Sequence, residues 1–388
     1  MLSDVVDFLS TGMLDLSIWG VVLATLALTH LTIISVTLYL HRAQAHRAIE
    51  VNYTLGFFFR LWLWLTTSMS TKEWVAVHRK HHAKCETEED PHSPVVLGIK
   101  KVFTEGAELY RKESKTAETT TQYGHGTPDD WAERNVFTGR FNRLGLLLMF
   151  IADVAMFGAI GITVWAIQMA WIPFWAAGVV NGVGHYWGYR NYECTDAATN
   201  VSPVGIIIGG EELHNNHHAF PSSAKFSLQK WEFDIGWVYI NILKVLGLVK
   251  IKRLAKYTEP METDKKEADL DTVRAVIEGR MYVLANFAKN VVAPVLKVEA
   301  SKADSQSRTI LNRGSKALVK DDGQMDKEDQ TSLERALKSS DAMNTIYQSR
   351  QKLQELWSSV HRSSSNDALV QALQEWCAQA EKSGIKAP

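Results

Sequence analysis

From Leu144 to Tyr189 the chain reads LGLLLMFIADVAMFGAIGITVWAIQMAWIPFWAAGVVNGVGHYWGY, 46 residues with one formal charge, Asp153. A helix crossing the ~30 Å hydrocarbon of a bilayer needs about 20 apolar residues. The stretch is therefore long enough for two crossings, and Pro173, inside Gln168–Trp175, suits the turn between them. Upstream, Ser17–Leu40 runs 24 residues without Asp, Glu, Lys or Arg, enough for one more. Buried helices of soluble proteins rarely stay uncharged for so long, so membrane insertion is expected. Residues 1–16 carry Asp4, Asp7 and Asp15 and no Lys or Arg, unlike the basic start of a secretory signal.

Around these runs lie a second apolar stretch, Tyr53–Ser70, interrupted by Arg60, then a charged loop over residues 72–143 and an apolar patch near Phe233–Val249. The expected membrane domain is residues 1–257, and residues 258–388 read as a charged helical tail. In that tail Leu270, Val273, Ile277, Met281, Leu284 and Val291 recur at helical spacing. Ser301–Thr331 reads as linker, and Ser332–Val360 and Asn366–Lys382 as two further helices, the second followed by Gly384. With 42 Lys+Arg against 43 Asp+Glu in 388 residues, the net charge of −1 argues against electrostatic capture of nucleic acid. Cys85, Cys194 and Cys377 form no C-x-x-C pair, which argues against a disulfide scaffold or a thiolate metal site.

The chemistry lies in the histidines. His41-Arg-Ala-Gln-Ala-His46 follows the first apolar run; His78-Arg-Lys-His81-His82 and His214-Asn-Asn-His217-His218 are two H-x2-H-H boxes; Asn181-Gly-Val-Gly-His185 ends the long run. With 13 histidines in the chain, chance supplies about 0.015 copies of H-x2-H-H, so two copies are a strong signal. On a helix, residues i, i+3 and i+4 share a face, so each box is expected to point three imidazoles one way. Asn181 and His185 are likewise i, i+4. His41 and His46 are i, i+5, about 140° apart on an α-helix, and need a helix end or a wider site to converge. Nine histidines are too many for one ion and suit two; neutral imidazole binds Zn, Cu, Fe and Ni. His30, His92, His125 and His361 fall outside the boxes, with His30 expected as a neutral histidine bonded to a neighbouring helix.

Sharing a centre requires every box on one side of the membrane. The lead-in lacks Lys and Arg, whereas the box segments carry Arg42, Arg47, Arg79, Lys80, Lys84 and Arg190, so the boxes are expected on the cytoplasmic side. Tyr53–Ser70 must then be re-entrant or interfacial, leaving three full spans.

These residues resemble the integral-membrane fatty acid desaturase family, in the branch that includes Δ9 desaturases and its bacterial members. The resemblance covers about residues 15–250 and includes Tyr39-Leu-His-Arg, Glu73-Trp74, Asp90-Pro91-His92, Gly188-Tyr189-Arg190, Gly210-Glu211-Glu212 and Ala219-Phe220-Pro221. It implies an all-α membrane stem with a cytosolic helical cap and a tunnel for an acyl chain. It also implies two iron ions held by His41, His46, His78, His81, His82, His185, His214, His217 and His218, with Asn181 reaching one iron through water. The implied reaction uses O2 to introduce a cis double bond, at Δ9, into an acyl chain of membrane phospholipid or acyl-CoA. Because the chain has no heme-type His-Pro-Gly-Gly, a separate ferredoxin, cytochrome or reductase would supply electrons. The implied location is the bacterial inner membrane.

Zinc has no redox chemistry, so a single zinc would not serve such a reaction. Glu73, Asp90, Glu193, Glu211 and Glu212 are candidates to orient imidazoles, and Trp62, Trp64, Trp74, Trp187 and Tyr189 to line the chain or anchor at the interface. A di-iron hydroxylase of lipid or alkane is the alternative that keeps the site. A metal transporter would place its ligands near the bilayer midplane, not at span ends. Ala76, where acyl-CoA members tend to carry a basic residue, leans the expectation toward acyl-lipid.

Overall fold

The computed structural model describes residues 2–194, 196–255, 268–318, 327–360 and 365–382; His361, Gly384 and part of the expected linker lie outside them. The described chain is mostly helical, with only four strands of two or three residues each. It divides into two compact units, residues 1–190 with 196–256, and residues 191–195 with 257–388.

In the first unit, α1 (Leu2–Thr11) leads to α2 (Ile18–Ile34), which Ser17 caps by accepting the Gly20 N–H at 3.2 Å. Thr25, Thr29, Thr32 and Ser35 each donate their hydroxyl to the carbonyl four residues back, so these polar groups cost little in an apolar helix. The helix continues as a π-helix over Ser35–Ala45, giving 28 continuous residues from Ile18 to Ala45.

A three-residue strand, Ile49–Val51, pairs antiparallel with Val249–Ile251 and turns the chain into α3 (Tyr53–Thr67). Ser68 adopts a left-handed φ of 53° and reverses the chain into α4 (Thr71–Lys84), capped by Ser70. Arg60, in the middle of α3, is buried and bridges Asp130 (2.5 Å) and Glu133 (3.2 Å). Short α5 (Pro94–Leu97) precedes α6 (Ile99–Ser114), which packs on residues 173–180, and α7 (Ala117–Tyr123), which packs on α4.

The long apolar run forms a hairpin, α8 (Leu144–Phe157) against α9 (Gly161–Ile172), the latter continuing as a π-helix over Pro173–Val180. The turn is at Gly158, not at Pro173 as the sequence led us to expect. Gly158 takes φ 68°, open to glycine at little cost, and a single 3-10 turn follows. Pro173 opens the π-helical segment without ending the helix. The lead-in docks on this tip, with Met13 N–H donating to Ala155 (2.9 Å) and Leu14 N–H to Met156 (3.1 Å).

Beyond it, α10 (His214–Ala219) and α11 (Ile235–Val245) complete the unit. Arg42, 1 % exposed, ties them to the first helix: it forks onto Asp234 (2.9 and 3.1 Å), donates to the carbonyls of Ala224 and Gly209, and stacks 3.8 Å over Phe226.

The second unit is helical among its described residues. Asp269 caps Leu270–Glu278 in a reciprocal capping box with Thr272. The expected linker is corrected in part: Ser305–Leu318 is a helix, because Leu311 and Leu318 bury against Leu333 and Ala336. Ser332–Val360 is likewise two helices, Lys327–Ser339 and Asp341–Val360.

Candidate metal centre

The π-helical backbone answers the problem set by His41 and His46. When each N–H bonds the carbonyl five residues back, as His46 does to His41 at 3.1 Å, residues i and i+5 come to lie nearly above one another. Their rings stand 4.9 Å apart.

Ligand atoms of five histidines, His41, His46, His78, His82 and His217, lie within 4.8 Å of one another, and so do those of His81, His185, His214 and His218. Each H-x2-H-H box therefore splits. The i, i+4 pair His78/His82 joins the first group and His81 the second; His214/His218 join the second and His217 the first. This differs from the expected single direction, since i+3 and i+4 diverge by about 100° around a helix. Asn181 lines the apolar chamber beside the groups, together with His41, His78 and His214.

Four carboxylates hold the outer edges. His41 Nδ1 donates to Glu211 (2.6 Å), His81 Nδ1 to Asp90 (3.0 Å), His185 Nδ1 to Glu86 (3.3 Å) and His218 Nδ1 to Asp196 (2.8 Å). A carboxylate only accepts, so each of these rings carries its proton on Nδ1 and presents a lone pair at Nε2. Yet the Nε2 atoms converge: His81 and His185 at 3.2 Å, His41 and His217 at 3.0 Å, His214 and His185 at 2.9 Å, His46 and His78 at 2.8 Å. In the His81–His185 pair both rings are fixed with lone pairs at Nε2, which repel at that distance unless a cation lies between them, and nitrogens bound at about 2.1 Å to one metal stand roughly 3 Å apart.

Burial, then mutual repulsion, holds His46, His78, His82, His214 and His217 well below the usual imidazole value, so they present neutral donors. Burial takes His218 down to about 4 despite Asp196. The buried Nδ1 atoms of His214 and His217 and Nε2 of His218 have no hydrogen-bond partner. The donor set fits two imidazole-bound metal ions.

Of the carboxylates the sequence singled out, Glu211 and Asp90 orient histidines, whereas Glu212 accepts the backbone N–H groups of Ile208 and Gly210. Glu86 and Asp196 were missed; only the nearness of Glu86 to the second box hinted at one of them. His92 was also left out, yet it stacks 4.5 Å from His81, its buried Nε2 has no hydrogen-bond partner, and the residue lines the chamber. His30 bonds Tyr239 on α11 at 2.8 Å, and His125 is exposed. The chamber, about 70 Å³, is walled by Ile33, Val36, Val77, Ala176, Val180 and Ile208, with Trp74 stacked 4.9 Å on His78.

Comparison with known proteins gives this arrangement its context. Residues 283–387 match a family model described as transposase; their described residues hold helices and no strand. Residues 16–232, more than half the chain, match the model described as fatty acid desaturase. A protein of Arabidopsis thaliana named a probable chloroplastic lipid desaturase is 33 % identical over 237 residues, 60 % of this chain and 62 % of that protein. The sn-1 stearoyl-lipid 9-desaturase of Anabaena variabilis is 30 % identical over 227 residues, 57 % of this chain and 79 % of the relative. Delta-9 acyl-lipid desaturase 1 of Arabidopsis thaliana is 29 % identical over 218 residues, 55 % and 69 % of the two chains. With its paired histidine groups facing an apolar chamber, the chain belongs to the fatty acid desaturase family.

Proposed function

We propose that the protein is an oxidoreductase that uses O2 to introduce a cis double bond, at Δ9, into a saturated acyl chain of a membrane lipid. The observation that carries this reading is the convergence of nine imidazoles, in groups of five and four, beside an apolar chamber. When bound, two irons held by these histidines would supply the redox chemistry of O2 that zinc lacks. Removing two hydrogens from the chain while O2 becomes two waters takes four electrons, two from the C–H bonds and two from a separate donor protein.

The chain's own residues do the placing. Glu211, Asp90, Glu86 and Asp196 orient four rings through their Nδ1 protons. Ile33, Val36, Val180 and Ile208 exclude water and hold a short run of methylenes against His41, His78 and His214. Asn181, on the same wall, is the residue we assign to a water-mediated contact.

We read Ile18–Ala45, α8 and α9 as three crossings, with α3 and α4 re-entrant and the histidines on the cytoplasmic side of a bacterial inner membrane. Supporting this, the two apolar helical stretches are long enough to cross. The lead-in meets the Gly158 tip, far along the helices from the boxes. His46 and His78, on either side of α3, lie 2.8 Å apart, which supports a chain that passes in through α3 and back through α4 to the same side. The names of the relatives and Ala76 favour acyl-lipid over acyl-CoA.

Expression in a host lacking Δ9 desaturation, then lipid-class separation and double-bond mapping by mass spectrometry, tests the reading. Monounsaturated acyl chains on complex lipid are expected. Hydroxylated chains instead would make the protein a hydroxylase, and unsaturation confined to acyl-CoA would overturn the substrate.

A further inference from the structure

When O2 becomes two waters, two of the four hydrogens leave the acyl chain and two arrive as protons with the donor's two electrons. Apolar walls carry no protons, so the polar groups that line the chamber decide where they enter. Outside the boxes these include Thr37, Glu211, His92, Asn181 and Tyr110. Thr37 and Glu211 are bonded to each other, Glu211 also to His41, and His92 stacks on His81. Tyr110, on α6, stands apart: its hydroxyl is buried and has no hydrogen-bond partner among the described residues. A buried polar atom of this kind calls for water or a ligand. Behind it lies a second cavity. Trp74 of α4 faces the chamber, whereas its neighbour Glu73 lines a polar cavity of about 470 Å³ with Ser70, Thr120 and the exposed Lys72, Asp129 and Arg134. Helices α4 and α6 pack together. Burial raises the Tyr110 phenol above its ordinary value, and the Glu73 carboxylate, near enough to act on it, raises it further. The phenol therefore stays a neutral hydroxyl, able to donate on one side while it accepts on the other.

We propose that Glu73 and Tyr110 pass the protons for O2 reduction from the polar cavity into the chamber, through a water held between them. The Glu73 carboxylate takes up a proton from solvent and gives it to the water. The water gives one of its protons to Tyr110 Oη as the phenol releases its own into the chamber. At each carrier one O–H bond forms and one breaks, so two passages deliver two protons and leave both residues as they began. Water is the usual occupant between two such buried polar groups. Burial raises Glu73 as well, with Lys115 opposing, which eases its protonation. The role in turnover rests on the desaturase reading; the connection from Glu73 to Tyr110 does not.

Tyr110→Phe keeps the ring and deletes the hydroxyl. In the iron-loaded full chain this variant should retain iron and the KM for acyl lipid, while kcat falls at least about tenfold and the rate ratio between light and heavy water rises. Glu73→Ala should lose turnover as well. Formate admitted through the polar cavity should restore part of the rate to Glu73→Ala and none to Tyr110→Phe. The resting loaded chain, without O2 or donor, gives a reading independent of turnover. In acidic buffer the infrared carbonyl band of protonated Glu73, identified by its absence from Glu73→Gln, should shift in Tyr110→Phe. Full turnover in Tyr110→Phe, an unchanged isotope ratio or a lack of formate rescue would overturn the relay, and an unshifted band would remove the shared water. A shifted band in a protein that desaturates nothing would instead overturn the function and leave the connection standing.

Discussion

His81 and His82 are adjacent in the chain, yet their rings face different partners: His82 Nε2 lies 3.0 Å from His217 Nε2, and His81 Nε2 lies 3.2 Å from His185 Nε2. His217 and His218 divide in the same way. Each box therefore belongs to both groups, which makes occupancy of the two separable by single substitutions.

The purified protein should hold about two irons per chain, with His81→Ala retaining about one, measured by plasma mass spectrometry. Unsaturated product should vanish while the variant still fractionates with membranes. Zinc at stoichiometric level in active protein would contradict this.

Glu211 receives hydrogen bonds from both Thr37 (2.6 Å) and His41 (2.6 Å). Glu211→Gln puts a neutral amide in place of the carboxylate, and iron affinity should drop about 10–100-fold. Chelator competition checks it; unchanged retention would remove Glu211 from this role.

These two predictions differ in how far the sequence foretold them. The boxes were legible because H-x2-H-H is rare and its residue types carry the chemistry. The convergence of His41 with His46 was not, since π-helical hydrogen bonding over Ser35–Ala45 leaves no periodic mark. The hairpin turn was misplaced because proline is the stronger turn signal, whereas Gly158 acts through a positive φ and the close approach of Gly12. Asp196 reaches His218 across 22 residues of chain, and no local pattern announces such a contact. In the tail, polar composition hid Leu311 and Leu318, which suffice to bury a helix.

Arg60 is buried against Asp130 and Glu133. Arg60→Ala leaves the carboxylate of Glu133, 4 % exposed, without its cation, and should cost about 3–5 kcal/mol. The variant's melting temperature in detergent should fall clearly, and Arg60→Met combined with Glu133→Gln should recover most of the loss.

Burial raises Glu73 above the usual carboxylate value, with Lys115 only partly opposing it. A carboxyl raised in the folded state contributes stability at low pH that is lost as pH rises through its folded value. Glu73→Gln keeps the neutral form throughout. Its melting temperature should exceed that of the unaltered protein at pH 7, with the gap closing toward pH 4; a gap that widens on acidification would reverse the sign.

Val180 walls the chamber of about 70 Å³. Val180→Phe should fill it and suppress desaturation at least about tenfold, with iron content unchanged; overpacking alone costs about 1–3 kcal/mol. Loss of iron in this variant would show that the wall also supports the histidines.

The wide coil at Ser35–Ala45 has a consequence for what changes the chain can tolerate. Strand pairing of Ile49–Val51 fixes its far end and the packed apolar helix fixes its near end. Removing one residue between His41 and His46 would turn their i, i+5 relation into i, i+4, tighten the coil toward ordinary winding and swing His41 off its shared axis with His46. The length of this segment is thus as constrained as the identity of its two imidazoles, and indels there should be lethal to activity where neighbouring substitutions are not.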